Sequence, residues 1–350
     1  MKKRFNKINY IINTKNSDSH INDEHFFLYI SINNIFIKIN LKIVLLFLFS
    51  IIYINYNIYY INQNNKVQGT NRNINYENNS FVIIRRTLCN TCGLFSFYMV
   101  YLGCINTWIN RGYIPIVDMK SFPNTYNNYN ISKNNTWETF FNQPFGYTLE
   151  EIINNVKNKS YVECLSSENR PNELTIYYNQ VLIDFWSDLA KKYMPIKKDI
   201  INESYIIMKK IFYNSKNILG VKMRGTDYIT NKIRGHSKLP NLDTTIIDVK
   251  NFNKKNNYDW IFITTEDEII KERFIKEFDN KIKFLNPNKK INYNYKEKKP
   301  INSNNDIKGN LEYSRNYILN IIILSKCTDI IMVRGNGACM VYLLNLENLP

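Results

Sequence analysis

The chain has 350 residues, 44% of them hydrophobic, which is enough for one or two domains with buried cores. Its 46 lysines and arginines against 30 aspartates and glutamates give a formal net charge of +16. These basic residues are dispersed among asparagines, without a basic helix or an aromatic-basic module. The charge therefore does not indicate a nucleic-acid-binding protein, and we predict no nucleic-acid partner.

Residues 43–61 are predicted to form a membrane anchor. This stretch contains no charged side chain and is about as long as a bilayer-spanning helix. Basic residues outnumber acidic ones before it and no small-residue cleavage site follows it, which favours a retained anchor with a cytosolic tail at 1–42. We therefore expect a single-pass type II membrane protein with a stem at 62–80 and, in a eukaryotic cell, a lumenal domain in the Golgi or endoplasmic reticulum.

The six cysteines are an even number, which allows disulfides in a lumenal domain. Cys89 and Cys92 form a C-x-x-C pair, but no second pair completes a zinc site. A redox role for this pair would need thioredoxin-like surroundings, which the sequence does not indicate. Cys104, Cys327 and Cys339 lie in apolar stretches and are predicted to be packed thiols.

The first folded half is predicted to span residues 81–214. It begins with a buried strand at 81–84, and a turn that contains Gly93 and Ser96 leads into a helix before the next strand at 113–118. Strands that alternate with helices in this way predict an α/β fold with parallel strands.

The rest of the first half is predicted to be mostly helical. Thr148 and Glu151 fit a capping box, in which each residue caps the backbone of the other at a helix N-terminus. Amphipathic patterns predict two longer helices, at 174–194 and at 200–212.

The second half, residues 215–350, opens with an apolar strand at 218–223 that ends in Arg224, Gly225 and Asp227. In an open α/β sheet, such a strand delivers polar side chains to the crevice beyond its carboxyl end, where ligands bind. An arginine at that point can hold phosphate oxygens bidentately. The alternative is a structural arginine–aspartate pair at a strand end.

A second strand-helix unit follows, with a strand at 260–264. Thr265 and Glu268 fit a capping box, so the helix is predicted to start there. Glu266 and Asp267 then lie in the turn at the ligand-binding edge. They would either contact the base or ribose of a nucleotide or only favour the helix N-terminus electrostatically.

A third unit follows the polar stretch at 286–310, which we expect to be a surface loop. A helical pattern through 318–324 precedes a strand at 329–333, and the turn Arg334-Gly335-Asn336-Gly337 opens another helix. A glycine-rich turn of this kind lets backbone N–H groups approach a phosphate, and a plain tight turn is the alternative.

These three units, in this order, resemble the C-terminal half of the fucosyltransferase superfamily, which includes α-1,6-fucosyltransferases, protein O-fucosyltransferases and bacterial α-1,2 enzymes. The family peptide His-x-Arg-x-x-Asp is similar to residues 222–227 here, with Lys222 at the histidine position. The resemblance implies that Arg224 binds the β-phosphate of GDP-fucose and that Asp227 closes the motif. Lys222 and Gly225 are expected to border the same nucleotide.

The resemblance covers roughly residues 81–346. It also rests on Cys92-Gly93-Leu94-Phe95-Ser96, Asn135-Thr136-Trp137-Glu138, Gln143-Pro144 and Gly235-His236. It implies a GT-B-like α/β fold of two Rossmann-like halves, with the nucleotide-sugar site in the second half. Gly93 and Ser96 would face the acceptor from the first half.

The implied function is transfer of fucose from GDP-fucose to a glycan or glycoprotein acceptor by an inverting, metal-independent mechanism. Arg224 and the glycine-rich turn would stabilise the charge on the departing diphosphate. The sequence contains no Asp-x-Asp dyad at a strand end and no His/Cys cluster with metal-ligand spacing, so we expect neither a metal nor a cofactor.

The base that deprotonates the acceptor hydroxyl is left open. The α-1,6 enzymes carry a glutamate a few residues after the motif, where this chain has Thr-Asn-Lys at 230–232. The remaining candidates are Asp227, His236, Asp118 and Glu138. Because that glutamate is missing, two alternatives stay open: an anchored sugar-binding or scaffold protein that has lost catalysis, and a GT-B transferase for another nucleotide sugar.

Overall fold

The computed structural model describes residues 27–32, 35–40, 79–89, 92–127, 134–165, 169–172, 176, 179–223, 241–285 and 311–344. These residues fall into two units, one within residues 11–75 and one within residues 76–350.

The smaller unit contains an antiparallel hairpin of strands β1 (Phe27–Ile32) and β2 (Ile35–Asn40). The interpretation of residues 1–42 as a tail does not include this hairpin, although both strands are rich in isoleucine, which favours β-structure. The predicted anchor at residues 43–61 lies outside the described residues. Within the described part of the chain, no helix is both long enough and apolar enough to cross a bilayer.

The first half of the larger unit is built on a parallel sheet with the strand order β4-β3-β5. Its strands are β3 (Phe81–Arg85), β4 (Ile114–Val117) and β5 (Lys159–Glu163). The strands predicted at 81–84 and 113–118 are confirmed with slightly different bounds. Because β3 is the central strand, its residues Phe81 to Ile84 are all buried, with apolar side chains on both faces.

The helices described in this half are α1 (Leu94–Asn110), α2 (Trp137–Phe140), α3 (Leu149–Asn155), α4 (Gln180–Tyr193) and α5 (Lys198–Phe212). The capping box at the start of α3 is confirmed. The Glu151 amide donates to Thr148 Oγ1 at 3.2 Å, and the Thr148 amide donates to Glu151 Oε2 at 3.2 Å. One face of the sheet, with Phe81 and Ile83, packs against Leu149 and Ile152 of α3.

The second half contains a parallel sheet with the strand order β8-β7-β6-β9. Its strands are β6 (Ile218–Lys222), β7 (Trp260–Thr264), β8 (Ile282–Lys283) and β9 (Asp329–Met332). The chain moves outward from β6 to β8 and then returns to the other side of β6 for β9. The strand order therefore reverses between β6 and β9, and such a reversal opens a crevice at the carboxyl ends of the two strands.

The helices described in the second half are α6 (Leu242–Asn256), α7 (Glu268–Phe278), α8 (Leu311–Ser325) and α9 (Asn336–Leu344). The two halves are joined through these helices, since α9 packs against α1 and α4 while α8 packs against α5. Arg315 of α8 reinforces the second contact, because its guanidinium lies 3.0 Å from Asp199 Oδ2 and 2.7 Å from Glu203 Oε2 of α5.

The prediction that Cys104 is a packed thiol is wrong. Cys104 of α1 forms a disulfide with Cys164, the residue that follows β5, and their Cα atoms are 6.0 Å apart. Helix α1 crosses the sheet beside the end of β5, and the sequence alone does not reveal that proximity. Cys327 and Cys339 are buried free thiols, as predicted.

Candidate functional site

The reversal of strand order brings three sequence-predicted residues of the second half together. Lys222 ends β6 and pairs in register with Met332 at the end of β9, so the turn at Gly335 and Gly337 starts only a few residues from it. A Cβ atom built on Gly337 would lie 3.3 Å from Lys222 Cε. The lysine stem and the glycine-rich turn are thus in direct contact range at the carboxyl edge of the sheet.

The turn itself depends on glycine at two positions. Gly335 has φ of 153°, a conformation that disfavours an L side chain. A Cβ at Gly337 would lie only 2.3 Å from the hydroxyl oxygen of Tyr317, so no side chain fits there unless Tyr317 moves. Helix α9 starts in this turn, and the Cys339 amide donates to the Gly335 carbonyl at 2.9 Å.

The arrangement at this edge favours an anion. A helix N-terminus exposes unpaired backbone N–H groups and carries a partial positive charge. The ammonium group of Lys222 and the guanidinium of Arg334 add full positive charges on the flanking strand ends. A phosphate is the ligand chemistry that a glycine-rich turn of this kind suits best.

Tyr317, in the second turn of α8, is a site residue that the sequence reading missed. Its hydroxyl approaches Gly337, and its ring lies against Phe95 of α1 with ring centroids 5.1 Å apart. Phe95 stands between Gly93 and Ser96, so the segment predicted to face the acceptor lies next to the glycine-rich turn. One indication of this role was present in the sequence, a tyrosine on the otherwise apolar face of the helix that became α8.

The capping box predicted at Thr265 and Glu268 is wrong. Helix α7 starts at Glu268, and its N-cap is Asp267, whose carboxylate accepts from the amides of Ile269 at 2.9 Å and Ile270 at 3.4 Å. Thr265 Oγ1 accepts from the Asp267 amide at 3.1 Å and so shapes the turn one step earlier. Asp267 is 3% exposed. Its carboxylate is therefore used by the helix, which favours the electrostatic interpretation for this residue.

At the edge of the first sheet, Ser96 lies in the first turn of α1. Its hydroxyl accepts from Arg86 Nη1 at 3.0 Å, and Arg86 is almost completely buried, which lowers the pKa of its guanidinium. Gly93 is the N-cap of α1, and a Cβ at this position would meet no atom within 4 Å. Gly93 therefore borders open space, whereas Ser96 is tied to the strand end.

Asp118, a candidate base, is completely buried and fully engaged. Its Oδ2 accepts from Arg85 Nε at 2.6 Å, and its Oδ1 accepts from the amides of Lys120 and Ser121 at 2.9 Å each. A buried carboxylate whose two oxygens already accept three hydrogen bonds is kept away from an incoming hydroxyl. This geometry argues against Asp118 as the base.

Glu138, the second candidate base in the described part, is half-buried, and its hydrogen bonds all go to one carboxylate oxygen. Its Oε1 accepts from Asn135 Nδ2 at 3.2 Å, from Gln143 Nε2 at 2.8 Å and from the Leu149 amide at 2.8 Å. Asn135 and Gln143 in turn bond the Val117 backbone at the end of β4. These hydrogen bonds connect the loop at 134–149 to β4, and Glu138 accepts three of them.

Four predicted site residues lie outside the described residues: Arg224, Gly225, Asp227 and His236. Their roles stay predictions. Among the described residues, no group of three or more His, Cys, Asp or Glu side chains could hold a metal ion. The expectation of a metal-free site also stays a prediction.

No protein-family model matches the chain, and none of the curated proteins matches it. Solved structures do resemble it. The NodZ alpha-1,6-fucosyltransferase soaked with GDP-fucose is 13% identical with a TM-score of 0.46, and the match covers 76% of this chain and 92% of that one. Fucosyltransferase NodZ from Bradyrhizobium is 14% identical with a TM-score of 0.45, over 76% of this chain and 92% of that one.

POFUT1 in complex with GDP-fucose is also similar, at 10% identity and a TM-score of 0.32, over 75% of this chain and 68% of that one. The likeness is distant in both measures, so the assignment of function depends on this chain's own residues.

Proposed function

We propose that this protein is a glycosyltransferase that moves fucose from GDP-fucose to a glycan or glycoprotein acceptor. The observation that carries the proposal is the meeting of Lys222, the turn at Gly335 to Gly337 and the N-terminus of α9 where the strand order reverses. In α/β proteins this is the position at which nucleotides bind. The sequence resemblance supplies the donor, because the GDP-fucose motif runs through Lys222 and Arg224.

The diphosphate of the donor would lie against this edge. As the bond to the sugar breaks, negative charge grows on the β-phosphate, and fixed positive groups stabilise it. Lys222, the helix N-terminus and Arg224, two residues further along the chain, supply that charge in our proposal. Glu266, in the turn after β7, would contact the nucleoside. Because Lys222 and Arg224 would supply positive charge to the leaving group, we propose a metal-independent reaction.

Inversion at the sugar requires an acceptor hydroxyl to attack directly while a base removes its proton. Asp118 is buried with both oxygens bonded, and Glu138 holds the loop at 134–149 through its Oε1, so we assign the base to Asp227 or His236. The acceptor would approach from the side of Gly93, which borders open space. In our proposal the apolar segment at 43–61 anchors the enzyme as a type II membrane protein with its catalytic part in the lumen.

A catalytically inactive sugar-binding protein is the second candidate. The specific observations in its favour are the lysine at the family histidine position, the absence of glutamate at 230–232, and the engagement of Asp118 and Glu138 in structural hydrogen bonds. Such a protein would bind the donor and leave it intact. A transferase for another nucleotide sugar would use the same phosphate site with a different nucleoside or sugar contact.

The test is donor binding and turnover by the full chain in detergent, with GDP-fucose, GDP-mannose and UDP-GlcNAc in the presence of EDTA. Binding is measured by calorimetry and nucleotide release by chromatography. We expect selective binding of GDP-fucose, and slow release of GDP that pooled glycan acceptors accelerate. Lys222→Ala should weaken GDP-fucose binding by about tenfold or more, because a charge-assisted contact to phosphate is lost.

The matched control is Lys254→Ala, which removes the same charge from the exposed end of α6. It should leave donor affinity unchanged. Equal losses in both variants would mean that Lys222 acts only through net charge and would remove the basis of the proposal. Binding without turnover on any acceptor would favour the inactive sugar-binding protein.

A further inference from the structure

The Cys89–Cys92 disulfide lies at the junction of a strand and a helix. It follows β3, the central strand of its sheet, and it precedes α1, after which the chain returns in the parallel neighbour β4. A C-x-x-C pair at the strand-to-helix junction of a βαβ unit is the arrangement of thiol–disulfide oxidoreductases. The fold therefore supplies a βαβ context for this pair, with both cysteines placed before Gly93, the N-cap of α1.

The two disulfides of this half differ in access. Cys104 and Cys164 are 0% and 1% exposed, so no thiol from solution can reach their sulfurs without unfolding. Cys89 and Cys92 are only half-buried, and the neighbouring Leu88 is 80% exposed. An incoming thiolate can approach this bond in the folded protein.

The two disulfides also differ in what they can do for stability. Cys104–Cys164 joins residues 60 apart in sequence, whereas Cys89–Cys92 joins residues only 3 apart. The entropy removed from the unfolded chain grows with the length of the closed loop, so the short link contributes much less. Stability therefore explains the buried disulfide better than it explains the exposed one.

Cys92 lies next to the start of a long helix. Helix α1 starts at Leu94, two residues after Cys92, and the N-terminus of this 17-residue helix stabilises a nearby negative charge. The guanidinium of Arg86 is fixed at the same helix end by its hydrogen bond to Ser96. The carboxylate of Glu163 opposes this effect, and it accepts hydrogen bonds from the Leu88 amide at 3.1 Å and the Thr87 hydroxyl at 2.9 Å.

We propose that Cys89–Cys92 is a redox-active disulfide whose substrates are dithiols. One thiolate of the dithiol attacks Cys89 Sγ, a mixed disulfide forms, and Cys92 leaves as the thiolate that the helix N-terminus stabilises. The second thiol of the substrate then attacks its own bound sulfur and releases Cys89. The dithiol loses two electrons and becomes a cyclic disulfide, and the protein gains two electrons and two protons as a pair of thiols.

The test is a redox titration of the folded full chain in detergent with mixtures of reduced and oxidised dithiothreitol. Thiols are trapped at intervals by alkylation and assigned by peptide mass spectrometry, while near-ultraviolet circular dichroism reports the fold. We expect Cys89 and Cys92 to become reduced at a ratio of reduced to oxidised dithiothreitol at least about tenfold lower than Cys104 and Cys164. The circular dichroism should be unchanged at that stage, and the buried Cys327 and Cys339 provide the internal baseline.

A second variant tests the direction of attack. In Cys92→Ser the remaining Cys89 thiol should form a stable mixed disulfide with oxidised glutathione, because no resolving thiol is left. Simultaneous reduction of both disulfides, reduction of Cys89–Cys92 only after the circular dichroism is lost, or a Cys89 thiol that glutathione does not modify would each overturn the proposal. This test involves no nucleotide, so its result is independent of the transferase assignment.

Discussion

The carboxyl edges of the two sheets are organised in different ways. At the first edge, carboxylates are engaged within the protein: Asp118 pairs with Arg85, and Glu163 accepts hydrogen bonds from the turn after β3. A disulfide fastens α1 to the end of β5 at the same edge. At the second edge, glycines admit the Tyr317 hydroxyl and the start of α9 next to Lys222.

This difference indicates that the two halves have different roles. The carboxylates of the first edge already accept hydrogen bonds from the protein, so a ligand would have to displace those bonds. We call this edge the structural frame. An edge made of a glycine-rich turn, a helix N-terminus and a lysine attracts an anion. Under the proposed function, the nucleotide would lie at the second sheet, and the first sheet would form a fixed wall on the acceptor side.

The largest expected effect is a loss of stability when the hydrogen bonds to Asp118, in the structural frame, are removed. Asp118→Ala leaves the Arg85 guanidinium without its buried partner and two amides without an acceptor. We expect the free energy of unfolding to fall by about 3 kcal/mol, the lower end for a broken buried ion pair, because the Arg85 side chain is 27% exposed. Urea denaturation followed by fluorescence measures it.

The control is Glu150→Ala, which breaks the exposed pair with Lys120. Since an exposed pair contributes little, the denaturation midpoint should not move. If both variants shift the midpoint equally, the first edge is not the structural frame that its geometry indicates.

The second effect tests the glycine-rich turn. Gly337→Ala puts a methyl group where the Tyr317 hydroxyl stands, so we expect a loss of about 1–3 kcal/mol from overpacking and a loss of donor binding. In the double variant with Tyr317→Phe the clashing oxygen is gone and the next ring atom is 3.4 Å away, which is ordinary contact. Thermal unfolding should therefore recover in the double variant.

Gly93→Ala is the comparison at the first edge. Its φ is −68° and a Cβ there meets nothing within 4 Å, so unfolding should be unchanged. If the Gly337→Ala variant were as stable as the Gly93→Ala variant, Tyr317 could move without a loss of stability. That result would contradict the close packing of this turn.

A smaller difference in the free energy of unfolding is expected between variants of two tyrosines of α1. Both Tyr98 and Tyr101 are buried, but Tyr98 donates to the Met194 carbonyl at 2.9 Å, whereas the Tyr101 hydroxyl has no hydrogen-bond partner among the described residues. Tyr98→Phe should lower the free energy of unfolding by about 1 kcal/mol. Tyr101→Phe should be neutral or stabilising, because it removes an unsatisfied polar group. The reverse order in urea denaturation would contradict this assignment.

The smallest effect depends on pH. Burial, aided by the negative charge of Asp118, raises the pKa of Tyr101 well above its ordinary value of 10.0. The folded state keeps the proton that the unfolded chain loses near pH 10, so the contribution of the neutral hydroxyl is complete below pH 10 and is lost as the pH rises further. At pH 10.5 the loss is on the order of 1 kcal/mol.

Tyr101→Phe removes this term and serves as the matched control. The difference in unfolding free energy between wild type and variant should therefore change by that amount between pH 7 and pH 10.5. A difference that is independent of pH would mean that the Tyr101 hydroxyl is reached by solvent in the folded protein.

Much of the fold could be predicted from local pattern. Apolar runs predicted the strands that became β3, β6, β7 and β9, and helical periodicity predicted α4, α5 and α8. The capping box at Thr148 was found because both of its hydrogen bonds are local. The capping box predicted at Thr265 was wrong, because Asp267, two residues later, caps the helix instead. The amino-acid sequence is compatible with either residue as the N-cap.

The candidate site was predictable only in part. Lys222 and the turn at Gly335 to Gly337 follow from strand ends and glycine spacing. Tyr317 could not be found in this way, because its role depends on how close α8 comes to α9 and to Phe95. The partner of Cys104 was missed for the same reason, since Cys164 is distant in sequence.

The sequence by itself therefore determined the alternation of strands and helices, the positions of the glycine-rich turn and the candidate phosphate-binding residues, and the burial of Cys327 and Cys339. These properties follow from interactions between residues close in the chain and from the burial of apolar runs. Only the tertiary structure decided the strand orders, which carboxylates are saturated, and which disulfide is accessible. Those depend on contacts between residues far apart in the chain, whose distances no local pattern encodes.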